Sequence, residues 1–401
     1  MLRRGGLVAL VLGLVSLPGV VRAEPAGAPP ARPFTVPLSS PRLYEVAATT
    51  HKHTLKAPDG TELFIETWLP SQASGGPPVP ETMPTILVIS PYQQVGTLES
   101  SSTMNEMVRR GYAYSQLHVR GTGLSTGCIQ MYSQTEADDG ALAIEYVGHA
   151  SPWGNDVVGG FGISYPGGTI LNAAARGAPE KTKYLKALVA GAPAISLYES
   201  AWTFDGVPSF TIPQTYYGQY MSLTSLPPGD TSPPPMDPQA FALWLQRYGN
   251  QYSQKPRCYP EHTAAAMDHS GDFTRYFQVR EMRDAVQNIK AAVFTFHGHA
   301  DTVPYHGVPP IVQTGLFDRL PPTTPKFGIF GEFGHERPSQ AARGPAEYRR
   351  RADYQRMEIA WFDHYLKGID AGVSEWGTAQ VQGTDGNWRI VDNWPRETGG
   401  G

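Results

Sequence analysis

One stretch, Val157-Val158-Gly159-Gly160-Phe161-Gly162-Ile163-Ser164-Tyr165-Pro166-Gly167, constrains this chain more than any other. Its first residues read as a short buried strand, and Gly168 to Arg176 reads as the start of a helix. Ser164 therefore sits in a glycine-flanked turn from strand to helix. Such a turn is tight, so only small neighbours leave room for it, and it pushes the serine oxygen out above a sheet. The next backbone N–H lies near a helix N-terminus, where negative charge is favoured. Pro166 suits the first helical turn, because its missing N–H would have had no partner there. A plain Gly/Ser loop could carry the same short pattern, and the second glycine falls one place late, at Gly167. The rest of the chain has to decide.

The length of 401 residues allows one large α/β domain with additions, or two domains. With 40% hydrophobic and 17% charged residues it is a globular chain, not a disordered one. Residues 1–23 read as a signal peptide: Arg3 and Arg4 begin it, Leu7 to Leu17 is apolar, and Val21-Arg22-Ala23 is a small-residue cleavage site. The apolar part is too short for a stable membrane anchor, so export to the periplasm or the exterior is expected. The net charge is −4, and losing the leader's arginines makes the remainder more acidic. Such a surface has no electrostatic attraction to nucleic acid or to anionic membranes. The chain has two cysteines, Cys128 and Cys258. Export permits a disulfide between them, but spacing alone leaves bonded and free thiols both open. A bridge closing so long a loop would contribute ~4 kcal/mol.

Residues 24–40 are rich in Ala and Pro and read as a linker. Thr49 to Leu69 alternates like two paired strands around an Asp59-Gly60 turn. Thr85-Ile86-Leu87-Val88-Ile89-Ser90 is a continuous apolar run, suited to the middle of a parallel sheet. Tyr112 to Val119 is another strand, and Glu136 to Val147 has helical spacing with Ala141, Ile144 and Val147 on one face. Leu185 to Val189, Ala291 to Phe296 and Phe327 to Phe330 read as further buried strands. This alternation predicts an α/β fold with a mostly parallel sheet covered on both faces.

Between Tyr198 and about Asn288 the pattern changes. Aromatic residues (Trp202, Phe204, Tyr216, Tyr217, Tyr220, Trp244, Tyr248) accompany a proline run from Pro227 to Pro238, with a helix start at Asp237-Pro238. We read residues 199–288 as a largely helical cap inserted between two core segments, 41–198 and 289–372. Met357 to Leu366 is the last core helix. Thr378 to Gly383 and Trp388 to Val391 read as strands of something new, so residues 373–401 are expected to be the truncated start of a separate β domain.

A serine in a strand-to-helix turn needs a general base and an acid to orient it. In α/β-hydrolases, whose nucleophile elbow this turn matches, they follow in the order Ser, then Asp or Glu, then His. Asp301 comes just after the Ala291 to Phe296 strand, and His335 follows the next strand. Both occupy loops at strand C-terminal ends, where open sheets place ligands. Ser164 as nucleophile, His335 as base and Asp301 as the residue fixing its tautomer form a complete set. His297-x-His299-x-Asp301 also looks like the metal loop of a zinc hydrolase. That loop lacks a following histidine, with Thr302 in its place, so neither a metal nor another cofactor is expected.

These residues resemble the CocE/NonD family, the cocaine-esterase and Xaa-Pro dipeptidyl-peptidase-like hydrolases. The blocks that carry the resemblance are Ser90-Pro91-Tyr92, Val119-Arg120-Gly121-Thr122-Gly123-Leu124-Ser125-Thr126-Gly127, Glu136-x-x-Asp139, Pro152-Trp153-Gly154-Asn155 and Gly162-Ile163-Ser164-Tyr165-Pro166-Gly167. Gly298-His299-Ala300-Asp301, Gly334-His335 and Trp388-Arg389 through Trp394-Pro395 complete them. The late glycine is that family's usual form. The resemblance implies an α/β-hydrolase core, a cap and a C-terminal β-sandwich, which here would be cut short. It implies the same triad, with the Tyr92 hydroxyl and the Tyr165 backbone N–H as oxyanion donors. One such donor is typically worth ~3 kcal/mol. His118 stands where many members have Asp, and we read it as structural. Thr302-Val303-Pro304 replaces the acids that bind a substrate ammonium in the amino-acid ester hydrolases. Glu199 or Asp205 could supply negative charge from the cap. The expected activity is hydrolysis of a small ester or amide, or of a peptide, with an esterase favoured. Xaa-Pro dipeptidyl-peptidase or acylase activity is the alternative, and a non-catalytic binding protein of the same fold is the rival. Oligomeric state is not legible.

Overall fold

The apolar run Thr85–Ser90 lies fully buried, flanked by parallel strands on both sides. It belongs to a computed structural model that describes residues 39–92, 98–204, 207–208, 260–268, 270–301, 313–335, 337–339, 351, 353–383 and 385–392. The leader and nearly all of the linker lie outside these residues, as does 209–259, which holds Tyr216, Tyr217, Tyr220, Trp244, Tyr248 and the Asp237-Pro238 helix start.

Among the described residues, ten strands form the main sheet. In chain order they are β1 (His51–Lys56), β2 (Glu62–Trp68), β3 (Thr85–Ser90), β4 (Ala113–His118) and β5 (Val158–Ile163). The others are β6 (Leu185–Gly191), β7 (Ala292–Gly298), β8 (Lys326–Gly331), β9 (Ala379–Gln382) and β10 (Trp388–Val391). Their spatial order is β10-β9-β8-β7-β6-β5-β3-β4-β2-β1. From β4 across to β9 every neighbouring pair is parallel, while the β1–β2 hairpin and β10 add antiparallel edges. This is the mostly parallel sheet of an α/β-hydrolase.

Side chains alternate across the sheet, so each strand feeds two cores. Ile86, Val88, Phe161, Val189 and Phe294 pack with α1 (Leu98–Val108) and α5 (Tyr354–Lys367), through Met107, Trp361 and Phe362. Leu87, Ile89, Leu188 and Val293 point the other way, toward α2 (Gln134–Glu145) and α3 (Tyr165–Arg176). The glycine pair of β5 lets helices on both faces come close. A Cβ on Gly159 would lie 2.7 Å from Leu366, and one on Gly160 would lie 2.3 Å from Ile170.

One expectation changes. Residues 373–401 were expected to open a separate β-sandwich, but β9 and β10 extend the hydrolase sheet. β9 runs parallel to β8, pairing Gly328 with Ala379 and Phe330 with Val381, and β10 folds back on it. Without them β8 would expose a row of unpaired backbone groups, which an added strand satisfies. Ala379 and Gln380 are buried by this pairing.

The described part of the insertion consists of short, mostly helical pieces, with further turns at Arg275–Gln278 and Arg283–Asn288. It has a π-type turn at Tyr198–Trp202, a minimal strand pair (Thr203–Phe204 with Val207–Pro208) and the helix α4 (Pro260–Met267). Its returning limb is fastened to the segment that follows Cys128. His262 Nε2 donates to the Ile129 carbonyl at 2.9 Å, and Arg280 Nε donates to the Gln130 carbonyl at 3.0 Å. Cys128 is disulfide-bonded, and the other cysteine of the sequence, Cys258, lies outside the described residues.

Arg120 staples the first hairpin, the loop after β4 and α2. Its Nε and Nη2 donate to the two oxygens of Asp139 at 2.6 and 2.7 Å, and its Nη1 reaches Asp59 at 2.8 Å. Arg120 and Asp139 are buried, whereas the Asp59 side chain is half exposed. Removing one partner of a buried pair strands the other charge away from water. Arg120→Ala is therefore expected to cost ~3–5 kcal/mol in denaturant unfolding. Asp59→Asn should cost no more than ~1 kcal/mol. Equal effects of the two substitutions would contradict this ranking.

Candidate active site

Ser164 has φ 67° and ψ −128°, a left-handed conformation that side chains disfavour. It caps α3 and is held from both sides. Its N–H donates to the Gly191 carbonyl at 2.9 Å, and its carbonyl accepts from the Gly168 N–H at 3.0 Å. The small residues are needed because strand and helix nearly touch. A Cβ on Gly162 would lie 2.2 Å from the Pro166 backbone, and one on Gly167 would lie 2.8 Å from the Gly191 oxygen. The second contact explains why the glycine falls at 167, while Pro166 is accommodated in the first turn of α3. Thr169 Oγ1 donates to the Ile89 carbonyl at 2.7 Å, which ties this turn to the end of β3.

The acid and base loops are laced together. After β7, the His299 N–H donates to the Gly331 carbonyl at 2.8 Å, and the Ala300 N–H donates to the Phe333 carbonyl at 3.1 Å. This brings His335 Nδ1 to 3.0 Å from Asp301 Oδ2. The same Oδ2 accepts from His297 Nε2, also at 3.0 Å. Burial alone would raise the pKa of the Asp301 carboxyl, but hydrogen bonds from His297 and His335 hold it well below the usual range. Its depressed value means that Asp301 stabilises the fold above the pH where an unfolded aspartate titrates. That contribution is lost as pH falls toward the folded value.

Tyr92 follows β3, and Tyr165 follows β5; the two strands are parallel neighbours, so both residues lie at the same sheet edge. The Tyr92 N–H donates to Ser90 Oγ at 3.0 Å, and its carbonyl accepts from Gln116 Nε2 at 3.1 Å. The Tyr165 ring is buried, stacks on Tyr132 at 4.3 Å and donates its hydroxyl to Glu136 at 3.1 Å. Glu136 also accepts the backbone N–H groups of Gln130 and Tyr132, both at 2.8 Å. Burial pushes the Glu136 carboxyl up, against those hydrogen bonds. Glu136 thereby pins a loop in which Met131 and Tyr132 both have positive φ. His118 accepts the Leu124 N–H on its Nδ1 at 3.1 Å, which fits a structural part. Glu199 pairs with Arg283 at 2.6 Å, and Asp205 lies outside the described residues.

Parallel pairing from β3 to β8 sets Tyr92, Ser164, Asp301 and His335 at one edge of the sheet. The family model described as X-Pro dipeptidyl-peptidase (S15 family) matches residues 59–314. The chain belongs to the S15 family. A putative Xaa-Pro dipeptidyl-peptidase of Bacillus anthracis is 26% identical over 312 residues, which is 75% of this chain and 46% of that protein. The chain thus spans about half the length of the curated relatives it matches. Among solved structures, an aminopeptidase from a marine sediment Thaumarchaeota archaeon has TM-score 0.65 at 18% identity, covering 94% of this chain and 63% of that one. A CocE/NonD family hydrolase of Staphylococcus aureus has TM-score 0.61 at 16% identity, covering 86% and 56%. These structural likenesses establish the α/β-hydrolase fold for this S15 chain.

Two members of the site were missed in the sequence. Glu136 was visible only as part of a block, and His297 only as part of a metal-like loop. A carboxylate among the buried positions of α2 was the signal for the first; a histidine inside an apolar strand was the signal for the second.

The backbone at Ser164 yields a test that is independent of chemistry. Ser164→Gly and Ser164→Ala both remove the hydroxyl, but only glycine accepts this conformation freely. Glycine is expected to be more stable than alanine there by ~1–2 kcal/mol in denaturant unfolding. Alanine matching glycine would show that the turn is unstrained.

Proposed function

We propose that this chain is an exported serine hydrolase that cleaves an ester or amide bond by way of an acyl-enzyme. The observation that carries this reading is the Asp301–His335 hydrogen bond of 3.0 Å at the sheet edge where Ser164 occupies its left-handed turn. A carboxylate only accepts, so the proton in that bond sits on His335 Nδ1 and Nε2 is left as the base. Nε2 takes the Ser164 proton as Oγ attacks a carbonyl carbon. The Tyr165 N–H, at the start of α3, and the Tyr92 hydroxyl receive the developing oxyanion. Collapse breaks the bond to the leaving group, which takes the proton back from His335. Water then repeats the sequence on the acyl-enzyme.

Esters of uncharged acyl groups are the favoured substrates. Glu199, an acid at the start of the insertion, is already engaged by Arg283, which leaves it poorly suited to bind a substrate ammonium. The name carried by the curated relatives supports a second reading, cleavage after an Xaa-Pro dipeptide. Export rests on the leader-like residues 1–23. Among the described residues no helix is long and apolar enough to cross a membrane.

A panel of acyl nitrophenyl esters and Xaa-Pro nitroanilides separates these readings. Wild-type protein should turn over esters in preference to nitroanilides, and Ser164→Ala and His335→Ala should each lower kcat by ~10³-fold or more. Preference for the nitroanilides would favour the peptidase. Undiminished turnover by folded Ser164→Ala would refute the serine mechanism.

A further inference from the structure

Asp301 is served by two histidines, and the proposed mechanism uses only one. His297 is the penultimate residue of β7 and is completely buried. Its Nε2 lies 3.0 Å from Asp301 Oδ2, the oxygen that His335 Nδ1 also reaches at 3.0 Å. Since the carboxylate can only accept, His297 must donate, so its proton is on Nε2. Its Nδ1 is buried with no hydrogen-bond partner among the described residues. A second proton there would find no acceptor among the described residues. Burial therefore keeps the ring neutral, and Asp301 opposes this less strongly. His297 is a fixed donor, not a proton carrier.

We propose that His297 is a positioning residue, whose N–H aligns the Asp301 carboxylate and, by sharing its oxygen, moderates how strongly Asp301 holds a proton on His335. The proposal rests on the roles assigned above to Asp301 and His335. Each donor to Oδ2 stabilises the ionised carboxylate and lowers its basicity. With His297 present, Asp301 stays charged in mild acid and draws a second proton onto His335 less strongly. The base consequently remains free to lower pH than it would beside an unshared aspartate. Among the described residues, the titratable groups acting on the His297 ring are Asp301, His335 and His299.

Two substitutions separate this role from simple packing. His297→Gln keeps an N–H donor at about the reach of Nε2, whereas His297→Leu keeps bulk without a donor. In His297→Leu the acid limb of kcat/KM should move up by about one pH unit, a roughly tenfold loss on that limb. His297→Gln should hold the wild-type limb. Titration of His335 by nitrogen NMR on histidine-labelled protein should show the same order without relying on turnover. Wild-type limb and titration in both variants, with Ser164→Ala still inactive, would overturn the positioning role and leave the serine mechanism standing. Wild-type protein without turnover on the panel above would count against the mechanism, while the NMR order would still decide whether His297 tunes His335.

Discussion

The left-handed backbone of Ser164 is the constraint on which the rest of the site depends. A residue with φ 67° between a strand and a helix cannot hold that shape alone. It is held because β6 supplies the Gly191 carbonyl to its N–H, and because α3 begins at once and returns the Gly168 N–H to its carbonyl. Those contacts demand close approach, which is why Gly162 and Gly167 flank the serine. The local strain costs of order 1–3 kcal/mol, and it is borne by a sheet and helices with extensive buried apolar contacts. The turn is therefore built by the fold, in the backbone geometry that a nucleophile elbow requires.

Around that turn the polar groups form layers with different tasks. Glu136 holds the backbone N–H groups on either side of Met131 and the Tyr165 hydroxyl, so the residue after the serine is fixed by its side chain as well as by α3. Arg120 and Asp139 tie α2, which carries Glu136, to the loop after β4. The Asp301 and His335 loops are bound to each other by backbone hydrogen bonds before any side chain meets. Placement of the proposed base thus depends on the β7–β8 pairing, and its electrostatics depend on how one aspartate oxygen is shared.

Much of this was legible in the residues. The apolar run at Thr85–Ser90 and the strand–turn–helix around Ser164 have periods and breakers that admit few alternatives. Asp301 and His335 could be picked out because each directly follows its own strand. The pairing of His297 with Asp301 was not legible, because a buried donor and a metal ligand look the same in sequence. Nor was the fate of β9 and β10, since alternation marks a hairpin without saying which sheet edge receives it. The irregular start of the insertion escaped for another reason: π-type turns such as Tyr198–Trp202 leave no periodic trace.

The most direct measurement is labelling with a fluorophosphonate, followed by mass analysis of the peptide that carries the adduct. A serine hydrolase built on this turn should acquire the phosphonyl group on Ser164, with much slower labelling when Asp301→Asn removes the partner of His335. A folded protein that stays unmodified, or that carries the adduct on a different serine, would contradict Ser164 as the nucleophile.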